Sequence, residues 1–171
     1  MDDPDLSMRL PAGWRSLPVA TLRSRAEQAS AATTGAIKEE YEKLIVRIDA
    51  NQIRLYAAGP SGLNPWQGTL VIEVTAAKSV DEQIAWIGKL LTAFAKPKTS
   101  EQTEAKLAIG TGVRLEQTAD PPAGQGVPAR GINYVVKLDD GRIIWINSTG
   151  PAASETFVAM IDGTVATISP R

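Results

Sequence analysis

Apolar residues follow the period of an α-helix most clearly over residues 79–94. Five of them recur at spacings of four, three, four and three positions and so share one helical face: Val80, Ile84, Ile87, Leu91 and Phe94. Ser79 and Glu82 match the capping-box pattern, in which each side chain can bond the backbone of the other. Pro97 ends the pattern. We therefore predict an amphipathic helix that buries one face against a sheet.

Three further segments have helical composition or spacing. Residues 20–32 and 36–46 predict two helices separated by Gly35. Residues 44–48 could instead form a strand, because several of them are β-branched. A last helix is predicted over residues 154–161. Two residues mark its expected ends: Ser154 as the N-cap and Gly163 as the C-terminal stop.

Alternating apolar and polar residues predict strands in four segments: residues 53–58, 69–75, 132–138 and 142–146. The last two flank Asp139-Asp140-Gly141, whose Asp-Gly pair predicts a tight hairpin turn. Residues 106–118 predict a long strand that bends at Gly110-Thr111-Gly112. Weaker assignments complete the chain: strands over residues 8–10 and 165–168, a polar linker over 98–103 and a loop over 120–128.

Strands joined by hairpins, with helices before and after them, predict an α+β fold in which helices pack on an antiparallel sheet. The regular β-α-β alternation of a doubly wound parallel sheet is missing from the pattern. The 171 residues are enough to bury one core, so we predict a single globular domain over residues 1–171. Residues 1–6 are expected to be flexible or not native to the protein.

The composition narrows the possible chemistry. The sequence contains no cysteine and no histidine, which excludes Ser-His-Asp and Cys-His catalysis, disulfides and zinc-thiolate sites. An enzyme would have to use carboxylates, Lys, Tyr, Ser or a hard cation. Eighteen basic and nineteen acidic residues give a formal charge of −1, which does not predict nucleic-acid binding. No apolar run reaches the roughly 18 residues of a membrane span.

Four tryptophans are the most informative side chains for binding. Trp86 and Trp145 lie in a predicted helix and a predicted strand and are expected in the core, and Trp14 is expected to close one end of the core. Trp66 lies in the loop Gly62-Leu63-Asn64-Pro65-Trp66, where a tryptophan can anchor a partner or fold down as a lid. The predicted binding residues are Trp66, Leu63 and Tyr56.

Several segments resemble the PsbP-like α/β/α sandwich superfamily, which includes the photosystem II extrinsic protein, the Ran-release factor of nuclear import and actinobacterial Lpq-type lipoproteins. The opening phrase Met8-Arg9-Leu10-Pro11-Ala12-Gly13-Trp14 and the closing phrase over residues 157–165 are the most motif-like. The strands over 53–58 and 70–74 and the helix over 79–94 follow in the same order. The resemblance implies a central antiparallel β-sheet with helices on both faces, and a partner-binding role without a shared active site.

The leading hypothesis is a non-catalytic binding or structural module, exported or lipid-anchored in the cell envelope, that binds another protein. It predicts no catalytic residues, no metal and no cofactor. The start Met1-Asp2-Asp3-Pro4-Asp5 is not a signal peptide, so a lipid anchor would require a leader and a lipidated cysteine that this chain lacks. One alternative is a carboxylate- or Lys-based enzyme with a small substrate. Another is a cytoplasmic, secretion-associated chaperone.

Overall fold

The computed structural model describes residues 6–59, 68–94, 96–120 and 128–170. The helices are α1 (Val19–Ala32), α2 (Gly35–Asp49), α3 (Val80–Phe94) and α4 (Glu155–Val165). The strands in the first half of the chain are β1 (Leu6–Ser7), β2 (Arg15–Ser16), β3 (Ile53–Ala58) and β4 (Thr69–Val74). Those in the second half are β5 (Lys96–Leu107), β6 (Gly110–Asp120), β7 (Ala129–Leu138), β8 (Ile143–Pro151) and β9 (Ser169–Pro170).

Seven of these strands form one antiparallel sheet in the order β2-β3-β4-β8-β7-β6-β5. The short strands β1 and β9 pair separately, with Leu6 opposite Pro170. Helices lie on both faces of the large sheet: α4 on one, and α1, α2 and α3 on the other. The predicted α+β class, with a central antiparallel sheet between helices, is confirmed.

The face of the sheet beneath α4 carries the largest apolar cluster. Phe157, Ile161 and Val165 of α4 are buried against alternate residues of β3, β4, β7 and β8. Trp14 closes one end of this cluster, as predicted. A Cβ atom on Gly68 would lie 2.8 Å from Cε2 of Phe157 and 3.0 Å from Cη2 of Trp14, so the two rings fill the space that a side chain there would need.

The opposite face carries two smaller clusters with a gap between them. Helix α3 packs over β7 and β5, and its Ile87 is buried with Val135 and Trp145. Helices α1 and α2 form a hairpin that packs on β3, with Leu22 and Ile48 buried together. Strand β4 lies between these two packed regions in the sheet order. The gap between α2 and α3 therefore opens over the middle of the sheet.

Local signals explain the best-predicted elements. Oγ of Ser79 accepts a hydrogen bond of 3.1 Å from the backbone N–H of Glu82, as the capping box predicts. The Glu82 carboxylate accepts from the backbone N–H of Lys78 instead of that of Ser79. Oγ of Ser154 caps α4 by accepting from the backbone N–H of Phe157 at 3.1 Å. The open question at residues 44–48 resolves as helix.

The region 98–118 differs from its prediction. The expected polar linker over residues 98–103 is part of β5, and the expected single strand over 106–118 is instead the end of β5, a turn and most of β6. The two strands pair from Leu107 opposite Gly110 to Lys96 opposite Asp120. Gly110 and Gly112 do not mark a bulge. They let the start of β6 approach the backbone of β7, because a Cβ on Gly112 would lie 1.9 Å from the Val135 carbonyl oxygen.

Predictions near the chain ends also needed correction. The strand expected over residues 8–10 is the pair Leu6–Ser7, and the strand expected over 165–168 is the pair Ser169–Pro170. Helix α4 continues through Gly163, which therefore does not end it. Leu6, included in the expected flexible segment, is buried in the core. The rest of that segment, and most of the loop expected over 120–128, lie outside the described residues.

Candidate functional site

The gap between α2 and α3 contains a cavity with a volume of about 630 Å³. Its walls come from α2, α3, strand β4 and the segment joining β4 to α3. The side chains that line it include Glu39, Val46, Arg47, Glu73, Gln83 and Trp86. This size suits a small molecule or a few side chains of a partner.

A second cavity of about 260 Å³ lies further toward the N-terminus of α2. Ile37, Tyr41 and Leu44 of α2 face Leu90 of α3 across it. Arg47 lines both cavities, so the two are neighbours along the same helix pair. We refer to the larger as the upper cavity, to the smaller as the lower cavity, and to both together as the α2–α3 groove.

A buried ion pair is built into the upper cavity. Nη1 of Arg47 on α2 donates to Oε2 of Glu73 on β4 at 2.9 Å. The Glu73 side chain is only 5% exposed and that of Arg47 is 20% exposed. Burial raises the pKa of Glu73, and the positive charge of Arg47 opposes that rise without cancelling it. The pair places a carboxylate and a guanidinium inside the cavity.

Trp86 forms the aromatic wall of the upper cavity. The guanidinium carbon of Arg47 lies 5.4 Å from the centre of its ring, within the range of a cation–π contact. Trp86 in turn meets Trp145 edge to face, with ring centres 5.3 Å apart and planes at 81°. Nε1 of Trp145 donates to Oδ1 of Asn133 at 2.9 Å. A continuous chain of contacts therefore fixes Arg47 and Trp86 to the sheet.

Two glutamines also line the upper cavity, Gln52 and Gln83. Gln83 is 95% buried, since only 5% of its surface is exposed. Among the described residues of the upper cavity, Nε of Arg47 is buried without a hydrogen-bond partner. This N–H is a donor that the described residues leave unsatisfied, which is typical of a site completed by a ligand or by water.

Tyr56 is the one predicted binding residue that the structure describes. It lies on β3 and packs, half-buried, against the cluster of Leu22, Ile48 and Ile53. Burial raises the pKa of its phenol. Tyr56 is not among the described residues that line the α2–α3 groove. Trp66 and Leu63 lie outside the described residues, so their predicted binding role stays a prediction.

The groove residues that sequence reasoning missed are Arg47, Glu73 and Gln83. Glu73 lies in the strand predicted over residues 69–75, and the sequence pattern indicates no partner for it. One signal was available: if helices cover both faces of a sheet, a carboxylate in one of its strands has no water and needs a cation. The partner itself could not be predicted, because Arg47 lies on a different element and faces Glu73 only in the folded chain.

A second cluster of charges lies on the opposite face of the sheet. Asp162 of α4 accepts from Nε and Nη2 of Arg114, both at 3.1 Å, and from the hydroxyl of Tyr134 at 2.7 Å. Nη2 of Arg114 also donates to Glu116 at 2.8 Å. These groups satisfy one another between α4 and the sheet, which is the arrangement of a structural network. We therefore do not assign a site there.

Two further findings concern the described ranges. Within them, no group of three or more Asp or Glu side chains is arranged to hold a metal ion. None of the four helices described there is long and apolar enough to cross a membrane.

The fold and the groove together define an α/β/α sandwich with an open cleft on its three-helix face. No protein-family model and no curated protein sequence matches the chain. Among solved structures, it is similar to LpqN of Mycobacterium tuberculosis, described as involved in cell envelope biogenesis. The TM-score is 0.55 at 13% identity, and the match covers 99% of this chain and 86% of LpqN. An Lpq-like fold, part of the predicted resemblance, is thus supported; membership of the wider PsbP-like superfamily stays a prediction.

Proposed function

We propose that this protein is a non-catalytic binding module of the cell envelope, with the α2–α3 groove as its binding surface and another protein as its partner. The similarity in fold to LpqN, itself involved in cell envelope biogenesis, supports the setting. The groove supports the binding role. Its large cavity combines an aromatic wall, a buried ion pair and two amide side chains, which are the features of a recognition site.

The observation that carries the proposal is the presence of exposed apolar side chains at the rim of the α2–α3 groove. Val46 is 67% exposed and Ile37 is 47% exposed, and both line the groove. Large apolar side chains left in water beside a cavity are typical of a surface that a partner covers.

Site-specific photo-crosslinking in cells of the source organism tests this proposal. A photoreactive amino acid at Val46 is expected to give a defined protein adduct. The same amino acid at Val19, which is 37% exposed at the start of α1, is the matched control and is expected to give none. The variant Ala77→Trp, which fills the upper cavity, is expected to abolish the adduct. Equal labelling from both positions would contradict the proposed surface.

Location is part of the same proposal. We propose that the native protein is exported or lipid-anchored, and fractionation of the source cells tests this directly. Recovery with the envelope fraction is expected. Recovery in the cytoplasm, bound to the product of a neighbouring gene, would instead favour the secretion-associated chaperone.

A carboxylate-based enzyme is the second candidate, and Glu73 is the observation that favours it. A buried carboxylate whose pKa is raised and which lines a cavity is the usual form of a general acid. Against this role, Arg47 donates a hydrogen bond to Oε2 of Glu73, which is the usual arrangement of a structural ion pair. Assay of the wild-type protein and Glu73→Gln against a broad hydrolase panel decides between them. Turnover that the substitution abolishes would establish the enzyme.

A further inference from the structure

We propose that the α2–α3 groove binds a basic amphipathic segment of the protein partner. In this arrangement a Lys or Arg side chain of the partner enters the acidic upper cavity, and apolar side chains of the same segment fill the lower cavity. The inference rests on the proposed binding function and adds the chemistry of the partner. Charge and exposed apolar surface support it separately.

The lining of the groove is acidic although the chain as a whole is nearly neutral. The two cavities are lined by five carboxylates, Glu39, Glu40, Glu42, Glu73 and Glu82, and by two cationic side chains, Lys43 and Arg47. The formal charge of the whole chain is −1, so the excess of acid is local to the groove. Such a surface favours a cationic partner and repels an anionic one.

The two cations of the groove are already engaged. Arg47 pairs with Glu73 at 2.9 Å, and Nζ of Lys43 lies 2.5 Å from Oε1 of Glu40. Glu39 has no ion-pair partner within the described ranges. Among the described residues, the Glu82 carboxylate accepts one hydrogen bond, from the backbone N–H of Lys78. Two carboxylates at the groove are therefore left for a cation supplied from outside.

The recess offers a place for that cation to be held. Gln83 lines the upper cavity, and its amide oxygen can accept from an ammonium or guanidinium group. Trp86 adds an aromatic wall, which also favours a cation. The Arg47 guanidinium against Trp86 shows that this ring already takes one cation in the folded protein.

The lower cavity supplies the apolar half of the site. Ile37, Leu44 and Leu90 line it, and Ile37 is 47% exposed. Apolar side chains spaced along one face of a partner segment would cover this surface while its basic residues reach the carboxylates. The neighbouring acidic and apolar cavities therefore match a segment that is both basic and amphipathic.

A short synthetic peptide of Leu and Lys in an amphipathic repeat is the probe, and isothermal titration calorimetry gives its Kd. Two matched peptides accompany it: one with every Lys replaced by Glu, and one with the Leu/Lys order scrambled. The Leu/Lys peptide is expected to bind about tenfold more tightly than either control, with affinity that falls as salt rises.

Matched variants of the protein locate the site. The double variant Glu39→Lys/Glu42→Lys reverses two exposed groove charges, of which Glu42 lies 3.7 Å from Nζ of Lys38 in an exposed pair, and is expected to raise Kd about tenfold. The double variant Glu101→Lys/Glu104→Lys makes the same change on the exposed edge strand β5 and is expected to leave Kd unchanged. Thermal unfolding of both variants shows that each is folded, so a loss of binding is not a loss of structure.

The outcomes separate this inference from the proposed function. If the Glu peptide binds as tightly as the Lys peptide, or if both double variants weaken binding equally, the basic-segment inference is overturned. A crosslinked adduct at Val46 would still support the binding function in that case. Binding to phosphatidylglycerol vesicles in preference to the peptide, or self-association through the groove seen by light scattering, would also overturn it.

Discussion

Nη1 of Arg47 lies 2.9 Å from Oε2 of Glu73, and this contact joins helix α2 to strand β4 across the groove. The carboxylate is nearly inaccessible to water, so the guanidinium is the group that makes its charge tolerable there. Arg47 also rests on Trp86 of α3. One side chain of α2 therefore contacts both the sheet and the facing helix, and it sets the shape of the cavity between them.

Replacing Arg47 with Met tests how much the fold depends on this pair. The substitution keeps much of the side chain's apolar length but leaves the Glu73 carboxylate buried without a cation. We expect a loss of about 3 kcal/mol in the free energy of unfolding at neutral pH, measured by urea denaturation. The double variant Arg47→Met/Glu73→Leu removes both charges and is expected to recover most of that loss.

Arg23→Met is the matched control for that experiment. Arg23 pairs with Asp49 between α1 and α2, but both side chains are substantially exposed. Its loss is expected to change the free energy of unfolding far less than the loss of Arg47 does, because water screens the exposed pair. Equal effects of Arg47→Met and Arg23→Met would show that the groove pair has no special role in stability.

The raised pKa of Glu73 predicts the pH dependence of stability. Glu73 faces Arg47, yet burial outweighs that attraction, so the folded protein holds the Glu73 proton to a higher pH than the unfolded chain does. Between the unfolded pKa, about 4.3, and the higher folded pKa, the native state binds more protons. The corresponding stability is fully present below the unfolded pKa and is lost as pH rises through the folded pKa.

Glu73→Gln removes this titration, so the variant is the reference with which the wild-type protein is compared. The wild-type free energy of unfolding minus that of Glu73→Gln is expected to fall as pH rises from acid to neutral. Urea unfolding in a series of buffers measures the difference. A difference that increases with pH would mean that Arg47 lowers the pKa of Glu73, which would reverse the balance of burial and charge argued for the groove.

The elements predicted well from sequence are those with a local cause. Asp140-Gly141 forms the turn between β7 and β8, where Gly141 adopts a φ of +87° that suits glycine. Ser79 and Ser154 begin helices because a hydroxyl next to free N–H groups is stabilising wherever it occurs. Such signals act over a few residues and do not depend on the rest of the fold.

Strand β5 and the groove could not be predicted because their causes are not local. Residues 98–104 of β5 are all exposed at the sheet edge, so no apolar alternation marks them as a strand. The groove exists because α2 and α3 pack on different strands and leave β4 partly uncovered. That spacing depends on the whole sheet order, which the pattern of one sequence does not contain.

The hydroxyl of Tyr134 is expected to contribute measurably to the free energy of unfolding on the face of the sheet that α4 covers. It donates to Oδ1 of Asp162 at 2.7 Å, and burial raises the pKa of the phenol. Tyr134→Phe removes one hydrogen bond to the charged Asp162 carboxylate, which still accepts from Arg114. We therefore expect a loss of about 1.5–3 kcal/mol in the free energy of unfolding. Tyr41→Phe in the lower cavity is the control and should have little effect. Equal losses would contradict the structural network.

The close approach of β6 to β7 gives the last prediction, which compares two glycine-to-alanine variants. A Cβ on Gly112 would lie 1.9 Å from the Val135 carbonyl oxygen, a backbone atom that cannot move aside without breaking the sheet. Gly112→Ala is therefore expected to lower the free energy of unfolding by more than about 2 kcal/mol. A Cβ on Gly88 in α3 would meet no atom within 4 Å beyond its chain neighbours and the nearby backbone of its own helix. Gly88→Ala should therefore raise the free energy of unfolding by about 0.5–1 kcal/mol. Urea denaturation of both variants checks the pair, and a stabilised Gly112→Ala would show that β6 and β7 are not paired as described.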